Sequence, residues 1–251
     1  MKCLESEIAI SGSLLTGSKA AVAALVTLIF SALAYQVKAV TRSGAVAGAM
    51  VSFAIYVSAG VGAFAALVSL FLIAITTTRA GYSRKQQRGT AESSQGRSAS
   101  QIVANVGIAA LATVLFAITQ HSIFLVAAAA ALAEAAADTA SSEIGEATSG
   151  QARLITSFEV VPAGTDGGIT LWGTLAGAMA SLLIAGCCLV LQLISRSSFF
   201  LVSIAGILGM LLDSILGAVL ERRQVLNNDM VNLLGTSTAA LIALVLHHFC
   251  L

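Results

Sequence analysis

Long apolar runs recur along almost the whole of this 251-residue chain, and they constrain its fold more than any other feature. A helix needs about 20 predominantly apolar residues to cross a bilayer. Only 10% of the residues are charged, against about a quarter in soluble domains. The pattern predicts an all-α polytopic transmembrane helical bundle of about seven or eight spans, forming one integral-membrane domain over residues 1–251. Eight spans can be placed, at 18–36, 44–58, 62–78, 101–120, 122–142, 167–191, 198–220 and 230–250.

The turn between the second and third spans is marked by Gly60 and Gly62, and a single kinked helix is the alternative there. With eight spans, ten of the thirteen Lys and Arg residues fall on one side of the membrane. The positive-inside rule makes that side cytoplasmic and puts both termini outside. The polar loops 79–100, 143–166 and 221–229 are then cytoplasmic.

Carboxylates follow one of the most apolar stretches, in ADTASSEIGEATSG at 137–150. Glu134 and Asp138 are four residues apart and share a helix face, Asp213 lies at similar depth in the seventh span, and Glu143 is at the helix end. A carboxylate inside a bilayer costs roughly 2.5–3.5 kcal/mol on insertion scales. Such a cluster indicates a cytoplasmic pocket that binds a hard cation such as Mg²⁺ or relays protons. Alternatively, each acid fastens helices by pairing with a hydroxyl or Arg.

A glycine-rich turn precedes the sixth span, where Gly164, Gly167 and Gly168 surround Thr165 and Asp166. A turn of this kind at a helix N-terminus presents free N–H groups and suits a phosphate. The alternative is an ordinary loop whose Thr165 or Asp166 caps the helix.

Two further polar groups lie at the membrane edge. Arg97, Gln101 and Asn105 form one stripe of the fourth span, which can hold a phosphate and a base or sugar. Around the start of the last span, four polar side chains at 227–232, including Asn228 and Asn232, exceed what capping needs. The basic residues Arg84, Lys85 and Arg88, by contrast, are interpreted as topology anchors against anionic lipid.

Four stretches together resemble one family, the integral-membrane family (domain of unknown function 92) that includes plant phytyl-phosphate kinase and animal transmembrane protein 19. The resemblance implies a kinase that transfers the γ-phosphoryl group of CTP or another nucleoside triphosphate to an isoprenoid monophosphate, with Mg²⁺ as cofactor. CTP is favoured because Asp138, Ala140, Gly145 and Gly150 also resemble a pattern of CTP-using membrane enzymes. The matching stretches are GRSASQIVANVG (96–107), ADTASSEIGEA (137–147), RLITSFEVVPAGTDGGIT (153–170) and DSILGAVLERR to NNDMVN (213–232).

This chemistry assigns roles to the polar residues. Mg²⁺ needs one or two carboxylates, for which we expect Asp138 and Glu143, with Asp213 for a second ion or the nucleotide. Arg97 and Arg153 are expected to neutralise phosphates, and Asp138 and Glu143 complete the catalytic set. The expected substrate- and nucleotide-binding residues are Gln101, Asn105, Ser142, Gly164, Thr165, Gly167, Gly168, Asn228 and Asn232.

Three alternatives remain open at this point. A transporter would carry polar groups across the membrane midplane, and a cytidylyltransferase would use the same parts on the α-phosphorus. A scaffold without chemistry would leave the acid cluster unexplained. The net charge of +1, with no basic tail, gives no indication of a nucleic-acid partner.

Overall fold

The computed structural model describes residues 2–148 and 150–250, with side chains for 17–148 and 150–249. The described backbone is mainly helical, so the predicted fold class is confirmed. Its helices are α1 (Lys2–Gln36), α2 (Arg42–Arg79), α3 (Tyr82–Arg88), α4 (Ala99–Thr119), α5 (Ile123–Thr148), α6 (Leu171–Val190), α7 (Arg196–Leu216) and α8 (Asn228–Cys250). Its strands are β1 (Gln151–Leu154), β2 (Val160–Pro162) and β3 (Gly168–Ile169), and a π-helical turn (Gly217–Glu221) follows α7.

The 38-residue helix α2 is bent back on itself at Gly60. Gly60 has φ 79° and ψ −173°, a region of backbone conformation that is essentially restricted to glycine. The rings of Tyr56 and Phe64 are 5.5 Å apart, whereas eight residues of straight helix extend about 12 Å. Gly44 and Thr78, near the two ends of α2, line the same cavity. The helix is therefore a hairpin of two segments, α2a (42–59) and α2b (61–79), with the turn where it was predicted.

Seven helices in the described part of the chain are long and apolar enough to cross a membrane. Because α2 turns back at Gly60 and provides two segments, these seven helices would make eight crossings, which agrees with the predicted number. The connections 37–41, 80–98, 150–170 and 222–227 then lie at one end of the bundle, which we call the basic face. The bridge between Val40 and Arg97 joins the first two connections, and the hydrogen bond from Arg88 Nη1 to Glu146 O joins the second to the end of α5.

Helix α5 occupies the centre of the bundle and packs against α2, α4, α6, α7 and α8. Its run of alanines is almost completely buried, because small side chains allow helices to approach closely where lipid removes the hydrophobic driving force. Gly177 of α6 lies against the Ala137 carbonyl of α5, and a Cβ there would come within 2.7 Å of that oxygen. The central position of α5 brings its polar C-terminal end into contact with most of the basic face.

The polar connections contain more structure than the sequence predicts. Helix α5 continues six residues past its predicted end at 142 and stops at Thr148. The rest of the predicted 143–166 loop contributes to a three-stranded antiparallel sheet in the order β2-β1-β3, with Ala152 paired to Val161 and Leu154 to Gly168. The predicted 79–100 loop contains α3 and the start of α4, and α8 begins at Asn228 inside the predicted 221–229 loop.

Candidate functional site

A polar cavity of about 260 Å³ lies at the basic face, among α4, α5, α7, α8 and the sheet. The structure brings almost every predicted site residue to its wall. Arg153 is the exception among them. The predicted residues in the wall are Arg97, Gln101, Asn105, Asp138, Ser142, Glu143, Gly164, Thr165, Gly167, Gly168, Asp213, Asn228 and Asn232.

One stripe of α5 supplies a large part of this wall. Asp138, Ser141, Ser142, Gly145 and Glu146 are spaced at i, i+3, i+4, i+7 and i+8, so they share one helix face. Gly145, which is part of this stripe, also brings α5 into backbone contact with Gly173 of α6. A Cβ added at Gly173 would lie 3.2 Å from the Cα of Gly145. The close packing fixes the rotation of α5 and therefore the direction in which the polar stripe points.

Two carboxyl groups meet at the floor of the polar cavity. Asp138 of α5 and Asp213 of α7 approach each other to hydrogen-bonding contact, and Arg97 interacts with Asp138 electrostatically. The Oδ2 atom of Asp213 is buried and has no hydrogen-bond partner among the described residues. Two facing carboxyl groups cannot both stay ionised without a proton or a cation between them, so this pair either shares a proton or holds a cation.

Glu134 lies one helical turn deeper than Asp138 and does not reach the cavity wall. Its side chain is buried against the glycines Gly209 and Gly235, and Oε1 has no hydrogen-bond partner among the described residues. The predicted grouping of three acids is therefore split, because Glu134 lies beneath the floor that Asp138 and Asp213 form.

Glu143 lines the polar cavity but is already held by other side chains. It forms a buried ion pair with Lys85 of α3, and it accepts a hydrogen bond of 2.6 Å from Thr78 Oγ1. Lys85 Nζ also donates to the carbonyl oxygens of Thr77 and Thr78, at 3.3 and 2.8 Å, so all three ammonium hydrogens are used. The pair fastens the end of α2 and α3 onto α5. Both oxygens of Glu143 are therefore engaged, and its role as a metal ligand stays a prediction.

The interpretation of the basic 84–88 segment as a lipid-facing anchor is wrong for Lys85, which is fully buried. Arg84 Nη1 donates to the Ala147 carbonyl at 3.3 Å, and Arg88 Nη1 donates to the Glu146 carbonyl at 2.6 Å. Cations at the C-terminal end of a helix satisfy its free carbonyl groups and interact favourably with the helix dipole. The segment therefore caps α5 and forms part of the protein core at this face.

The glycine-rich turn lies against the end of α7 rather than at the start of α6. Gly164 and Gly167 have φ angles of 85° and 73°, which glycine adopts without strain. Helix α6 begins only at Leu171, and Thr170 caps it by accepting from Gly173 N–H at 3.0 Å. The predicted caps at Thr165 and Asp166 are thus wrong, because β3 separates the turn from the helix.

Within this turn, some backbone N–H groups donate to carbonyl oxygens of the protein and others have no acceptor among the described residues. Gly168 N–H donates to the Thr165 carbonyl and Thr165 N–H to the Pro162 carbonyl. The N–H groups of Gly164 and Gly167 have no acceptor among the described residues, although both residues line the polar cavity. These two N–H groups, three residues apart, are the donors that the turn could offer to an anion.

Of the predicted amide side chains, those of Gln101 and Asn105 form hydrogen bonds within α4 and its cap, whereas those of Asn228 and Asn232 line the polar cavity. Gln101 completes a capping box with Ser98, in which Gln101 Oε1 accepts from Ser98 N–H at 2.8 Å. Asn105 Nδ2 donates to the Gln101 carbonyl at 2.8 Å. At α8, Asn227 is the cap and accepts from Met230 N–H at 2.9 Å. Because Asn227 is the cap, Asn228 and Asn232 are not needed for capping, and both line the polar cavity.

Arg153 is placed outside the polar cavity, contrary to its predicted role beside a phosphate. It is exposed on β1, and its Nη1 donates to the Phe158 carbonyl at 2.9 Å across the β1–β2 turn. Because side chains alternate across a strand, the neighbours Ala152 and Leu154 face inward and Arg153 faces away.

Acidic groups dominate the charge of the polar cavity. The wall also contains four acidic residues that were not among the predicted site residues, Glu92, Glu146, Asp166 and Glu221. Helical spacing could have found two of them, since Glu146 is eight residues from Asp138 and Glu221 eight from Asp213. Arg97 is the only basic residue in the wall within the described part of the chain. Acidic residues therefore outnumber basic ones in this wall, even with Glu143 paired to Lys85.

Comparison with known proteins agrees with this architecture. The uncharacterized membrane protein MJ0933 of Methanocaldococcus jannaschii is 33% identical over 224 residues, which cover 88% of this chain and 92% of the relative. Protein VTE6, chloroplastic, of Arabidopsis thaliana is 28% identical over 86% of this chain and 67% of its own length. The uncharacterized membrane protein sll0875 of Synechocystis is 30% identical over 76% of each chain. No solved structure matches.

The family comparison covers most of the chain, since the integral membrane protein family DUF92 matches residues 25–240. That range contains every crossing from the second to the seventh and every residue named in the polar cavity. The chain belongs to the integral membrane protein family DUF92.

Proposed function

We propose that this protein is a lipid-phosphate kinase that transfers the γ-phosphoryl group of a nucleoside triphosphate to an isoprenyl monophosphate, giving a diphosphate. The observation that carries the proposal is the composition of the polar cavity. Facing carboxyl groups, one arginine and free backbone N–H groups converge there, at the edge of a bundle that otherwise lies in lipid. The family contains the plant phytyl-phosphate kinase, which supplies the reaction class, and we favour CTP as the donor.

The carboxylates fit a divalent cation. Asp138 and Asp213 face each other, and the buried Oδ2 of Asp213 lacks a donor, so these two residues would hold Mg²⁺. Mg²⁺ is usually bound by one or two carboxylates together with substrate phosphates. When bound, it would supply positive charge that offsets the charge developing on the phosphates during transfer.

The remaining groups have roles that follow from their positions. Arg97 would bind a phosphate and offset the repulsion between the two anionic substrates. The free N–H groups of Gly164 and Gly167 would cradle a second phosphate, and Asn228 and Asn232 would orient the nucleotide. An oxygen of the lipid phosphate attacks the γ-phosphorus while the bond to the β–γ bridging oxygen breaks, and the nucleoside diphosphate leaves. No general base is required, since the attacking phosphate is already anionic.

A transporter is disfavoured by the interior of the bundle beyond Glu134. A continuous apolar cluster, which includes Ile55, Leu132 and Ile184, fills the space between the helices there. The buried hydroxyls in that region bond to carbonyl oxygens, such as Ser181 Oγ to the Ser203 carbonyl at 3.0 Å. No polar pathway therefore leads across the described part of the bundle. We infer from the positive-inside rule that the basic face, and with it the polar cavity, is cytoplasmic.

The test uses purified protein in detergent with Mg²⁺, γ-labelled CTP or ATP, and a panel of isoprenyl monophosphates. Label in a lipid diphosphate is expected, and the comparison of nucleotides identifies the donor. Label released only as pyrophosphate, with a cytidylylated lipid, would replace the kinase with a cytidylyltransferase. Consumption of neither nucleotide with any lipid would refute both enzymes.

Asp138→Asn and Glu159→Gln are the matched variants for this assay. Asp138 faces the polar cavity, whereas Glu159 is exposed on the sheet outside it. Each change removes one carboxylate with almost no change in shape. Turnover should be lost in the first variant and retained in the second.

A further inference from the structure

A second cavity, of about 340 Å³, lies beside the polar cavity and has a mainly apolar wall. It is bounded by α1, both halves of α2 and the start of α4, and we call it the apolar cavity. Both α1 and α4 contribute residues to the wall of the apolar cavity. Helix α1 nevertheless packs mainly against α2 and not against α4. The apolar cavity is therefore bordered by a helix that is loosely attached to the rest of the bundle. Its wall includes Phe30, Ala34, Val51, Leu67, Leu70 and Phe71.

The two cavities share part of their walls. Arg97, Gln101 and Asn105 line both of them, and Glu92 also does so. Arg97 is the one basic side chain of the polar wall among the described residues, and it lies at the junction. Lys38 and Arg79 also line the apolar cavity, so that cavity has positive charge where it meets the basic face. A ligand that occupies both cavities must have an anionic head at the junction and a hydrocarbon tail that extends away from it.

The apolar cavity has a closed inner end. Along α2b it reaches from Thr78 to Leu67, which is about 16 Å of helix. At that depth Phe30 packs edge-on against Phe71 and Phe64, with ring centroids 4.9 and 5.4 Å apart. These three rings block further penetration toward the opposite side of the membrane.

We propose that the apolar cavity binds the hydrocarbon tail of the isoprenyl monophosphate and that the phenylalanine cluster limits the length of tail that it accepts. The proposal rests on the proposed kinase function, of which it defines the acceptor site. The tail enters from the membrane between α1 and α4, which places the phosphate beside Arg97 and the polar cavity. The enzyme thereby selects its lipid by tail as well as by head group.

Gly48 of α2a is the residue we assign as a determinant of tail binding. It lines the apolar cavity, and a Cβ built there would have only Ser31 Oγ within 4 Å, at 3.8 Å. A larger side chain at this position therefore projects into open space rather than into a neighbouring helix. Val46, two residues away, is 63% exposed on the outer surface of the same helix and provides a matched position.

The first experiment compares Gly48→Phe with Gly48→Ala and Val46→Phe. Initial rates are measured with dimethylallyl, geranyl, farnesyl and geranylgeranyl monophosphate. Gly48→Phe should raise KM for the geranylgeranyl substrate at least tenfold while leaving the dimethylallyl substrate within about twofold. The two control variants should behave like the unmodified protein. An equal loss for all tail lengths in folded Gly48→Phe would overturn the proposal.

A second measurement does not depend on catalysis. A geranylgeranyl monophosphate analogue with a diazirine near its tail end is photolysed with the protein in nanodiscs, without nucleotide, and the labelled peptides are identified by mass spectrometry. Labelling of the apolar-cavity residues of α1, α2 and α4, displaced by unlabelled geranylgeranyl monophosphate, is expected. Labelling confined to other helices, or displaced by phosphatidic acid but not by the prenyl phosphate, would refute the tail site.

The two measurements separate this proposal from the proposed function. Specific labelling of the apolar cavity without phosphoryl transfer would sustain the lipid site and reject the kinase. Phosphoryl transfer to prenyl phosphates, with labelling outside the apolar cavity, would sustain the kinase and reject the tail site. If Gly48→Phe does not fold, Phe71→Leu enlarges the closed end instead, and kcat/KM should then shift toward tails longer than geranylgeranyl.

Discussion

The buried ion pair between Lys85 and Glu143 yields a quantitative prediction. Lys85 has no exposed surface, and its ammonium group has three acceptors within the protein. Lys85→Met removes the charge that balances Glu143 and leaves a buried carboxylate with Thr78 as its remaining partner. Breaking one side of a buried pair costs about 3–5 kcal/mol. The equilibrium constant for unfolding should therefore rise between about a hundredfold and several thousandfold.

The assay follows unfolding in detergent by circular dichroism and by the fluorescence of the single tryptophan, Trp172, in the first turn of α6. For a chain of this size the expected loss corresponds to a fall in Tm of about 6–20 °C. Glu143→Gln should cost less, because the amide oxygen still accepts from the ammonium group. Lys19→Met, at an exposed lysine of α1, is the control and should leave Tm unchanged.

The double variant Lys85→Met with Glu143→Leu completes the cycle. No unpaired charge remains in it, so its Tm should exceed that of Lys85→Met alone. The turnover of the double variant separates the two possible roles of Glu143. If Glu143 serves only in the ion pair, the double variant should regain activity together with stability. If Glu143 is a metal ligand, the double variant should be stable but inactive. A Tm for Lys85→Met equal to that of the unmodified protein would refute the reasoning.

Four further predictions test other parts of the structure. Chelation of divalent cations should abolish nucleotide binding as well as turnover, since the acidic wall repels a free triphosphate; equilibrium binding of labelled CTP with and without EDTA measures this. Arg97→Ala should remove activity and Arg153→Ala should retain most of it, because only Arg97 faces the polar cavity; activity lost equally in both would contradict the placement. Gly60→Ala should destabilise the protein by about 1–3 kcal/mol through its φ of 79°, measured as a lower Tm with activity preserved below it. Arg196→Ala, at the opposite end of the bundle from the polar cavity, should change turnover little, and a large loss would contradict the topology.

The sequence predicts the helices well because each one satisfies a local requirement. A crossing needs a minimum apolar length, and polar residues inside a crossing need partners, so both the spans and the polar stripes are visible in the sequence. The end of α5 was predicted at 142 because polarity rises there. The helix continues to Thr148 because Arg84 and Arg88 from a distant segment satisfy its last carbonyl groups.

Contacts between distant segments account for the other differences. Lys85 and Glu143 are 58 residues apart, and nothing local distinguishes a lysine that will be buried from one that faces lipid head groups. The side-chain direction of Arg153 depends on the pairing of β1 with β2 and β3, whose strands of four residues or fewer have little periodicity of their own. Residues at helical spacing within one helix, by contrast, share a face whatever the distant contacts are. This is why Arg97, Gln101 and Asn105 could be predicted as one stripe, and all three line the polar cavity.

The distribution of basic residues explains why the proposed chemistry depends on metal ions. The basic face holds most of the Lys and Arg residues, yet several are committed to the fold. Lys85 is paired with Glu143, and Arg84 and Arg88 cap α5. The polar cavity is left with Arg97 among seven carboxylates, which is too little positive charge for a nucleoside triphosphate and a lipid phosphate together. In the proposed reaction, cations would therefore enter with the nucleotide. Arg97, at the junction of the two cavities, would then receive the lipid phosphate, so that in the proposed reaction each anionic substrate has its own source of positive charge.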